Sequence, residues 1–238
     1  YTRDNIVISV AGNIDEDEIC KFLEDKFEKL RATKAPRENK TSLYQPRFKV
    51  ITKDILQTHL CLCTRSVSLD DPRYYSFDVL NSIMGGSMSS RFFQNIREEK
   101  GLAYSVYSMN SAFSTDGYFN IYAGISHDKI EDAIDGIKEE LDILDRHGVT
   151  EEELSMSKEQ LKSSYIFAQE NVASRMFAIG KNLLLLGKVF TAEEVIAGLD
   201  SVTKETIDEI KPIVCDPKNY CGCLVTDKKI NLQKLVTR

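Results

Sequence analysis

The residues of this sequence best suited to chemistry are an arginine and a tyrosine seven positions apart, Arg97 and Tyr104. Arg97 falls near the end of a predicted helix, Gly101 lets the chain reverse, and Tyr104 begins the next predicted strand. Such a turn brings a guanidinium and a phenol to one side of a sheet. Both groups are rigid hydrogen-bond donors, so together they suit holding a peptide carbonyl or stabilising an oxyanion. The competing interpretation is a helix-capping arginine beside an ordinary sheet tyrosine.

Metal-ligand motifs are missing from the sequence. The three histidines, His59, His127 and His147, are far apart, and neither H-x-x-E-H nor H-E-x-x-H occurs. We therefore predict no metal ligand and no catalytic base in this chain.

Four of the six cysteines form two C-x-C pairs, Cys61 with Cys63 and Cys221 with Cys223. In a strand, period two puts both sulfurs of a pair on one face, so neighbouring strands would gather four thiols suited to zinc. The interpretation we favour is that these are small, reduced residues of an intracellular protein, which predicts a cytoplasmic location.

Charge and hydropathy exclude two classes of partner. The chain has 31 basic and 37 acidic residues, and a net charge of −6 disfavours binding to nucleic acid. Its longest apolar run, 183–186, is far shorter than the roughly 20 residues that span a bilayer. We expect a soluble globular chain without a nucleic-acid or membrane partner.

The chain divides at residues 33–47, where periodicity stops and two prolines lie among polar residues, as is typical of a linker. Before it, 5–13 predicts a buried strand, which should pair with another molecule or an exposed sheet edge. Asp15 and Glu18 then have capping-box spacing at the start of a helix. We predict a short segment over 1–32 and a complete domain over 48–238.

Within that domain, apolar runs predict five strands, over 48–51, 58–63, 104–112, 118–124 and 220–225. Asp71 before Pro72 predicts the N-cap of a helix that ends at Met84, and Ser89 or Ser90 starts the helix that carries Arg97. A clear apolar stripe predicts a further helix, with Ile130, Ala133, Ile134, Ile137, Leu141 and Leu144 on one face. Capping boxes, Thr150 with Glu153 and Thr191 with Glu194, begin later helices.

The stretch from Leu80 to Tyr104, with Gly85-Gly86-Ser87 and Arg97-Glu-Glu-Lys-Gly-Leu-Ala-Tyr104, resembles the second half of pitrilysin/insulinase-type zinc metallopeptidases. This group includes the processing peptidases. The opening 5–13 is similar to the strand that closes their first half. The resemblance covers essentially the whole chain and implies an α+β, two-layer sandwich, a mostly antiparallel sheet with helices packed on one face.

The resemblance also implies a function. In that family the zinc site, an inverted H-x-x-E-H with a downstream Glu, belongs to the first half, while the second half supplies an arginine and a tyrosine seven residues apart. Arg97 and Tyr104 match that pair and would bind substrate and support the transition state. The chain would be the substrate-binding C-terminal portion of a zinc metalloendopeptidase that cleaves peptides or unfolded segments.

The resemblance further implies that zinc is the cofactor of the intact enzyme and is held by an N-terminal, zinc-bearing half. That half and a peptide substrate are the expected partners, and a homo-oligomer stays open. The start at Tyr1 instead of Met suggests a processed product or a fragment, with the zinc-bearing half upstream. The alternative is a non-catalytic structural or partner subunit of the same family.

Overall fold

The computed structural model describes residues 2–32 and 40–238. Contacts divide the chain into two compact units, one of Tyr1–Lys40 with Lys162–Ala197 and the other of Thr41–Leu161 with Gly198–Arg238. We call these the smaller and the larger unit. The sequence-based boundaries differ, because they place 162–197 in the C-terminal domain and end the linker at residue 47. Part of that linker, 33–39, lies outside the described residues, and the boundaries stay a prediction.

Five strands of the larger unit form one sheet in the order β1-β5-β2-β4-β3. The strands are β1 (Phe48–Thr52), β2 (Thr58–Ser66), β3 (Ala103–Ala112), β4 (Gly117–Ile125) and β5 (Cys221–Thr226). The β1–β5 pair is parallel and the other three pairs are antiparallel. The predicted mostly antiparallel sheet is therefore confirmed, including the β3–β4 hairpin that turns just before Gly117.

The helices in chain order are α1 (Glu16–Phe27), α2 (Tyr74–Met84), a π-helix (Phe92–Glu99), α3 (Ile130–His147), α4 (Glu151–Glu170), α5 (Val172–Leu186), α6 (Ala192–Asp200), α7 (Lys204–Asp208), α8 (Lys211–Val214) and α9 (Leu232–Thr237). Short 3₁₀ turns occupy Arg3–Asn5 and Pro217–Asn219. In the part of the chain that is described, no helix has the length and apolar character that crossing a membrane requires.

Burial shows which face of the sheet the helices cover. Along β2, Leu60 and Leu62 are buried, while the alternating Cys61 and Cys63 are only partly covered. The predicted apolar stripe of α3 is buried along its whole length. The helices packed on the sheet within the larger unit thus lie on one face of it, and the two-layer arrangement is confirmed.

Helix ends follow the predicted capping chemistry at three places. Asp15 accepts a hydrogen bond from the Glu18 backbone N–H at 2.9 Å. At the start of α4, the Thr150 and Glu153 side chains each accept from the other's backbone N–H, at 3.1 and 2.8 Å. The Thr191 and Glu194 side chains do the same, at 3.2 and 2.9 Å. These bonds satisfy amides that a helix start leaves without partners.

The predicted N-cap at Asp71 is wrong. Helix α2 begins at Tyr74, two residues later than an Asp71 cap implies. The Asp71 carboxylate instead accepts from the backbone N–H of Arg73 at 2.8 Å and from its guanidinium at 2.7 and 2.9 Å. A charged partner two residues away therefore takes the carboxylate that would have capped the helix.

The predicted strand over 5–13 does not form within this chain and is not buried, and its pairing with another molecule stays a prediction. Residues 6–10 have no strand assignment and are absent from the sheet, and the side chain of Ile8 is 44% exposed. This segment instead meets α5 within the smaller unit, where Ser9 Oγ donates to the Met176 carbonyl at 2.8 Å. A strand is defined by its ladder partner, and the described residues give this segment none.

Gly85, at the end of α2, permits a close approach of strand β3. Ser108 N–H donates to the Gly85 carbonyl at 3.1 Å, and a Cβ on Gly85 would overlap the backbone nitrogen of Ser108. We expect Gly85→Ala to lower the free energy of unfolding by about 1–3 kcal/mol, as for overpacking elsewhere. Urea denaturation measures it. The exposed Ser89→Ala in the same turn is the control and should change stability by less than about 0.5 kcal/mol. Equal effects of the two changes would contradict the steric argument.

Candidate functional site

Arg97 and Tyr104 lie beside each other in the larger unit. The Arg97 guanidinium carbon is 5.8 Å from the centroid of the Tyr104 ring and 4.6 Å from that of Phe93, distances at which a cation is attracted to an aromatic face. The residue Tyr104 is 79% exposed, and the side chain of Arg97 is 38% exposed. Both donors therefore reach solvent from one place, as their spacing predicts.

The π-helix sets the position of Arg97. Phe92 and Ile96 are fully buried and fix its inner side, while Phe93, one turn before Arg97, supports the guanidinium. The Lys100 N–H donates to the Asn95 carbonyl, five residues back, at 3.1 Å. Such widened turns cluster at functional sites because they shift the side chains that follow.

Tyr104 is placed by an irregularity of strand β3. In the β3–β4 ladder, Ala103 pairs with Ile125 and Ser105 pairs with Gly124, so Tyr104 is the extra residue of a bulge. Just before it, Gly101 adopts a left-handed φ of +58°, which a residue with a Cβ rarely takes. A bulge re-aims one side chain without ending the strand, and here that side chain is the tyrosine.

Helix α3 and the residue before it hold the π-helix and the following loop through three polar contacts. Asn95 Nδ2 donates to Glu140 Oε1 at 2.7 Å, and Lys100 Nζ donates to Glu139 Oε2 at 2.5 Å. Lys129, just before α3, donates to the Gly101 carbonyl at 2.9 Å. These contacts brace the segment on both sides of Arg97.

Glu140 is the unusual member of this set because its side chain is buried, with the residue only 3% exposed. Burial raises the pKa of its carboxyl, and the hydrogen bond from Asn95 and the positive charge of Arg91 offset only part of that effect. Keeping the Glu140 carboxylate ionised in the folded protein therefore costs free energy.

Arg91 anchors the start of the π-helix to α4. Its guanidinium donates to both carboxylate oxygens of Glu153, at 2.6 and 2.8 Å, and to the Gly148 carbonyl at 2.9 Å. Burial opposes the charge of Glu153, but the bonds from Arg91 and Thr150 outweigh it and lower the pKa of that carboxyl. This two-pronged pair is geometrically specific, so it fixes the orientation of the helix start.

The sheet face away from the helices, which we call the open face, carries aromatic and polar side chains: His59, Cys61 and Cys63 on β2, Tyr107 on β3 and Tyr122 on β4. The Tyr107 and Tyr122 rings stack with centroids 4.9 Å apart. The Tyr122 hydroxyl and His59 Nδ1 lie 2.7 Å apart. Such rings offer a rigid surface with polar tips, which suits contact with extended peptide.

The donor sets of the described residues do not fit a zinc ion. No group of three or more His, Cys, Asp or Glu side chains in 2–32 and 40–238 is arranged to hold a metal. Both ring nitrogens of His127 are engaged, at 2.7 Å from Thr58 Oγ1 and 2.8 Å from the Ile55 carbonyl.

Sequence reasoning found the arginine and the tyrosine but missed the residues that brace them. Glu140 carried a usable signal, since it lies three residues after Ile137 and four before Leu144 on the apolar stripe of α3. A glutamate at a core-facing position must have a buried partner. Nothing in the sequence pattern pointed to Asn95 or Arg91.

Solved structures with the same architecture define the class of fold. A peptidase M16 inactive domain from Pseudomonas fluorescens matches with a TM-score of 0.81 and 18% identity, covering 92% of this chain and 53% of that one. A protease from Helicobacter pylori matches with a TM-score of 0.80 and 17% identity, covering 91% and 53%. At these identities the likeness concerns the fold alone.

Sequence comparisons identify the family. The family described as the peptidase M16 inactive domain matches residues 1–161, and the chain belongs to it. An uncharacterized zinc protease of Bacillus subtilis, YmxG, is 42% identical over 212 residues, covering 87% of this chain and 51% of that protein. Another from Streptomyces coelicolor is 33% identical over 215 residues, covering 87% and 47%. The chain thus spans about half the length of these relatives, and the predicted family is confirmed.

Replacing Glu140 by Gln should make stability less dependent on pH. The raised pKa means that the folded state holds the proton more tightly than the unfolded state, so wild-type stability falls as pH rises through the folded pKa. Glutamine keeps an oxygen for Asn95 but carries no charge. We expect the Glu140→Gln variant to become more stable relative to wild type as pH rises above about 4.3, the usual glutamate pKa.

Urea unfolding from pH 4 to pH 8 measures this difference. The matched control is Glu139→Gln, which removes an exposed pair with Lys100 and should change stability by about 0–1 kcal/mol. A difference between Glu140→Gln and wild type that stays constant over this range would show that burial of the charge is not the cause.

Proposed function

We propose that this chain is the substrate-binding, zinc-free half of a zinc metalloendopeptidase that hydrolyses peptides or unfolded polypeptide segments. The observation that carries the proposal is the Arg97–Tyr104 pair, two solvent-facing donors braced by a π-helix and a bulge. The names of the relatives, zinc proteases, and the resemblance to pitrilysin/insulinase-type enzymes support it. A cytoplasmic location stays a prediction from cysteine usage.

Each donor has a distinct task in this proposal. The planar guanidinium of Arg97 holds a substrate carbonyl through two parallel N–H groups. Because the guanidinium already packs on the Phe93 ring, the side chain loses little conformational freedom when substrate binds. The Tyr104 hydroxyl donates to the oxygen that becomes negative as the carbonyl turns tetrahedral. The stacked rings of Tyr107 and Tyr122 on the open face form an aromatic surface that the substrate backbone packs against.

The partner in this proposal is an N-terminal, zinc-bearing half, in the same polypeptide or as a separate chain. Zinc bound there supplies the activated water, and this chain supplies binding and charge stabilisation. The rival function, a non-catalytic structural or partner subunit, needs no intact metal motif in the other half. The two functions are distinguished by activity.

The assembled protein should cleave a fluorogenic peptide, and the isolated chain should not. We would purify the chain alone, the upstream half alone, and the two together, and measure peptide hydrolysis and zinc content by metal analysis after dialysis. Hydrolysis only by the assembly, with zinc following the upstream half, supports the proposal. A folded assembly that retains no activity against unfolded substrates would favour the subunit role.

In the assembly, Tyr104→Phe should lower kcat by about 10- to 1,000-fold with KM nearly unchanged, because the lost bond forms mainly in the transition state. Tyr107→Phe is the matched control, because it removes a hydroxyl from another exposed tyrosine of the same strand but keeps the ring that stacks on Tyr122. Steady-state kinetics separates kcat from KM. The melting temperatures of both variants should stay close to wild type. Equal kinetic losses in the two variants would count against a specific role for Tyr104.

Arg97→Lys should weaken substrate anchoring although the positive charge remains, because lysine lacks the planar fork. We expect KM to rise, with a melting temperature near that of wild type. Arg65→Lys is a suitable control, since Arg65 pairs with Asp116 at 3.3 Å on the surface. If Arg97→Lys unfolds the protein and the folded fraction keeps full activity, the arginine is structural.

A further inference from the structure

The two C-x-C pairs face each other on neighbouring strands. In the β2–β5 ladder, Cys61 lies opposite Cys223 and Cys63 lies opposite Cys221. All four are free thiols and only partly covered, while the residues between them, Leu62 and Gly222, are buried. The thiols therefore project to the open face, and the proposed peptidase function does not use them.

Backbone hydrogen bonding defines how close the opposed cysteines are. Gly222 N–H donates to the Arg47 carbonyl at 2.9 Å, so the backbone groups of Gly222 point towards β1. Those of its neighbours Cys221 and Cys223 therefore point towards β2. Cys63 and Cys221 then form a hydrogen-bonded antiparallel pair, whose Cα atoms lie about 5.5 Å apart. That is the usual separation across a disulfide.

The two opposed pairs differ in their surroundings. The Cys63 thiol donates to Asn120 Oδ1 at 3.4 Å. The nearby Cys63 thiol lowers the pKa of Cys221 below its usual range, and Cys221 in turn raises the pKa of Cys63. The Tyr44 hydroxyl lies beside this pair and donates to the carbonyls of Cys63 and Asn219, at 2.9 and 2.5 Å. In the other pair, burial raises the pKa of the Cys61 thiol, which disfavours its thiolate. The thiolate is the reactive form, so Cys221 is the favoured nucleophile.

We propose that Cys63 and Cys221 are a redox-active thiol pair, which low-molecular-weight disulfides of the glutathione type oxidise to a cross-strand disulfide. The Cys221 thiolate attacks one sulfur of the small disulfide, forms a mixed disulfide and releases one thiolate. Cys63 then loses its proton to water, attacks Sγ of Cys221 and releases the second thiolate. Two protein thiols are oxidised to one disulfide, and one small disulfide is reduced to two thiols.

The experiment equilibrates the purified full chain with oxidised and reduced glutathione at fixed ratios, blocks the remaining thiols, and maps the cysteines by fragmentation mass spectrometry. We expect a loss of two hydrogens in intact mass, a link between Cys63 and Cys221, and full reversal by dithiothreitol. A link between Cys61 and Cys223, modification of the exposed Cys20 alone, or fully reduced cysteines at the most oxidising ratio would each overturn the proposal.

Two variants test the order of the steps. Cys63→Ser should stop at the mixed disulfide, with one glutathione retained on Cys221, whereas Cys221→Ser should form neither product at this pair. Cys61→Ser and Cys223→Ser are matched controls in the same strands and should form the Cys63–Cys221 bond as wild type does. Glutathione retained on Cys63 in the Cys221→Ser variant, to the same extent, would contradict the assignment of the nucleophile. Mapping of the wild-type chain decides the proposal even where a serine variant fails to fold.

Discussion

The hydrogen bond between Asn95 and the buried carboxylate of Glu140 is the interaction on which the site depends most. A buried carboxylate without a partner is costly, so the structure must keep Asn95 within reach. Asn95 lies inside the π-helix, two residues before Arg97. The requirement to satisfy Glu140 therefore fixes the widened turn against α3, and the direction of the guanidinium follows from it.

A second constraint acts on the tyrosine side. Tyr104 is the unpaired residue of a bulge, but its neighbours Ala103 and Ser105 are both paired with β4. The strand is thus held on either side of the bulge while the tyrosine points to solvent. Preorganisation of this kind makes a donor useful in a transition state, because no reorientation is needed as charge develops.

The sequence predicted correctly those features that depend on residues close together in the chain. The capping boxes, the β3–β4 hairpin and the stripe of α3 depend on residues within one or two turns of each other. The predicted N-cap at Asp71 is wrong because Arg73, an equally local partner, binds the carboxylate. The segment 5–13 forms no strand within this chain because an apolar run does not specify its ladder partner. The π-helix, the bulge and the register that opposes Cys63 to Cys221 result from packing between distant segments, which periodicity does not encode.

Every brace of the Arg97–Tyr104 pair belongs to the larger unit: Glu140 and Glu139 on α3, Lys129 before it, and Glu153 at the start of α4. The spacing of the two donors is therefore set by one sheet and the helices packed on it. In the proposed enzyme, placing the donors in their own unit separates metal binding from oxyanion stabilisation, which are hard to combine in one site. A metal centre needs clustered ligands with depressed proton affinity, whereas an oxyanion site needs donors that keep their protons. Two half-domains allow each set of residues to be braced in its own core.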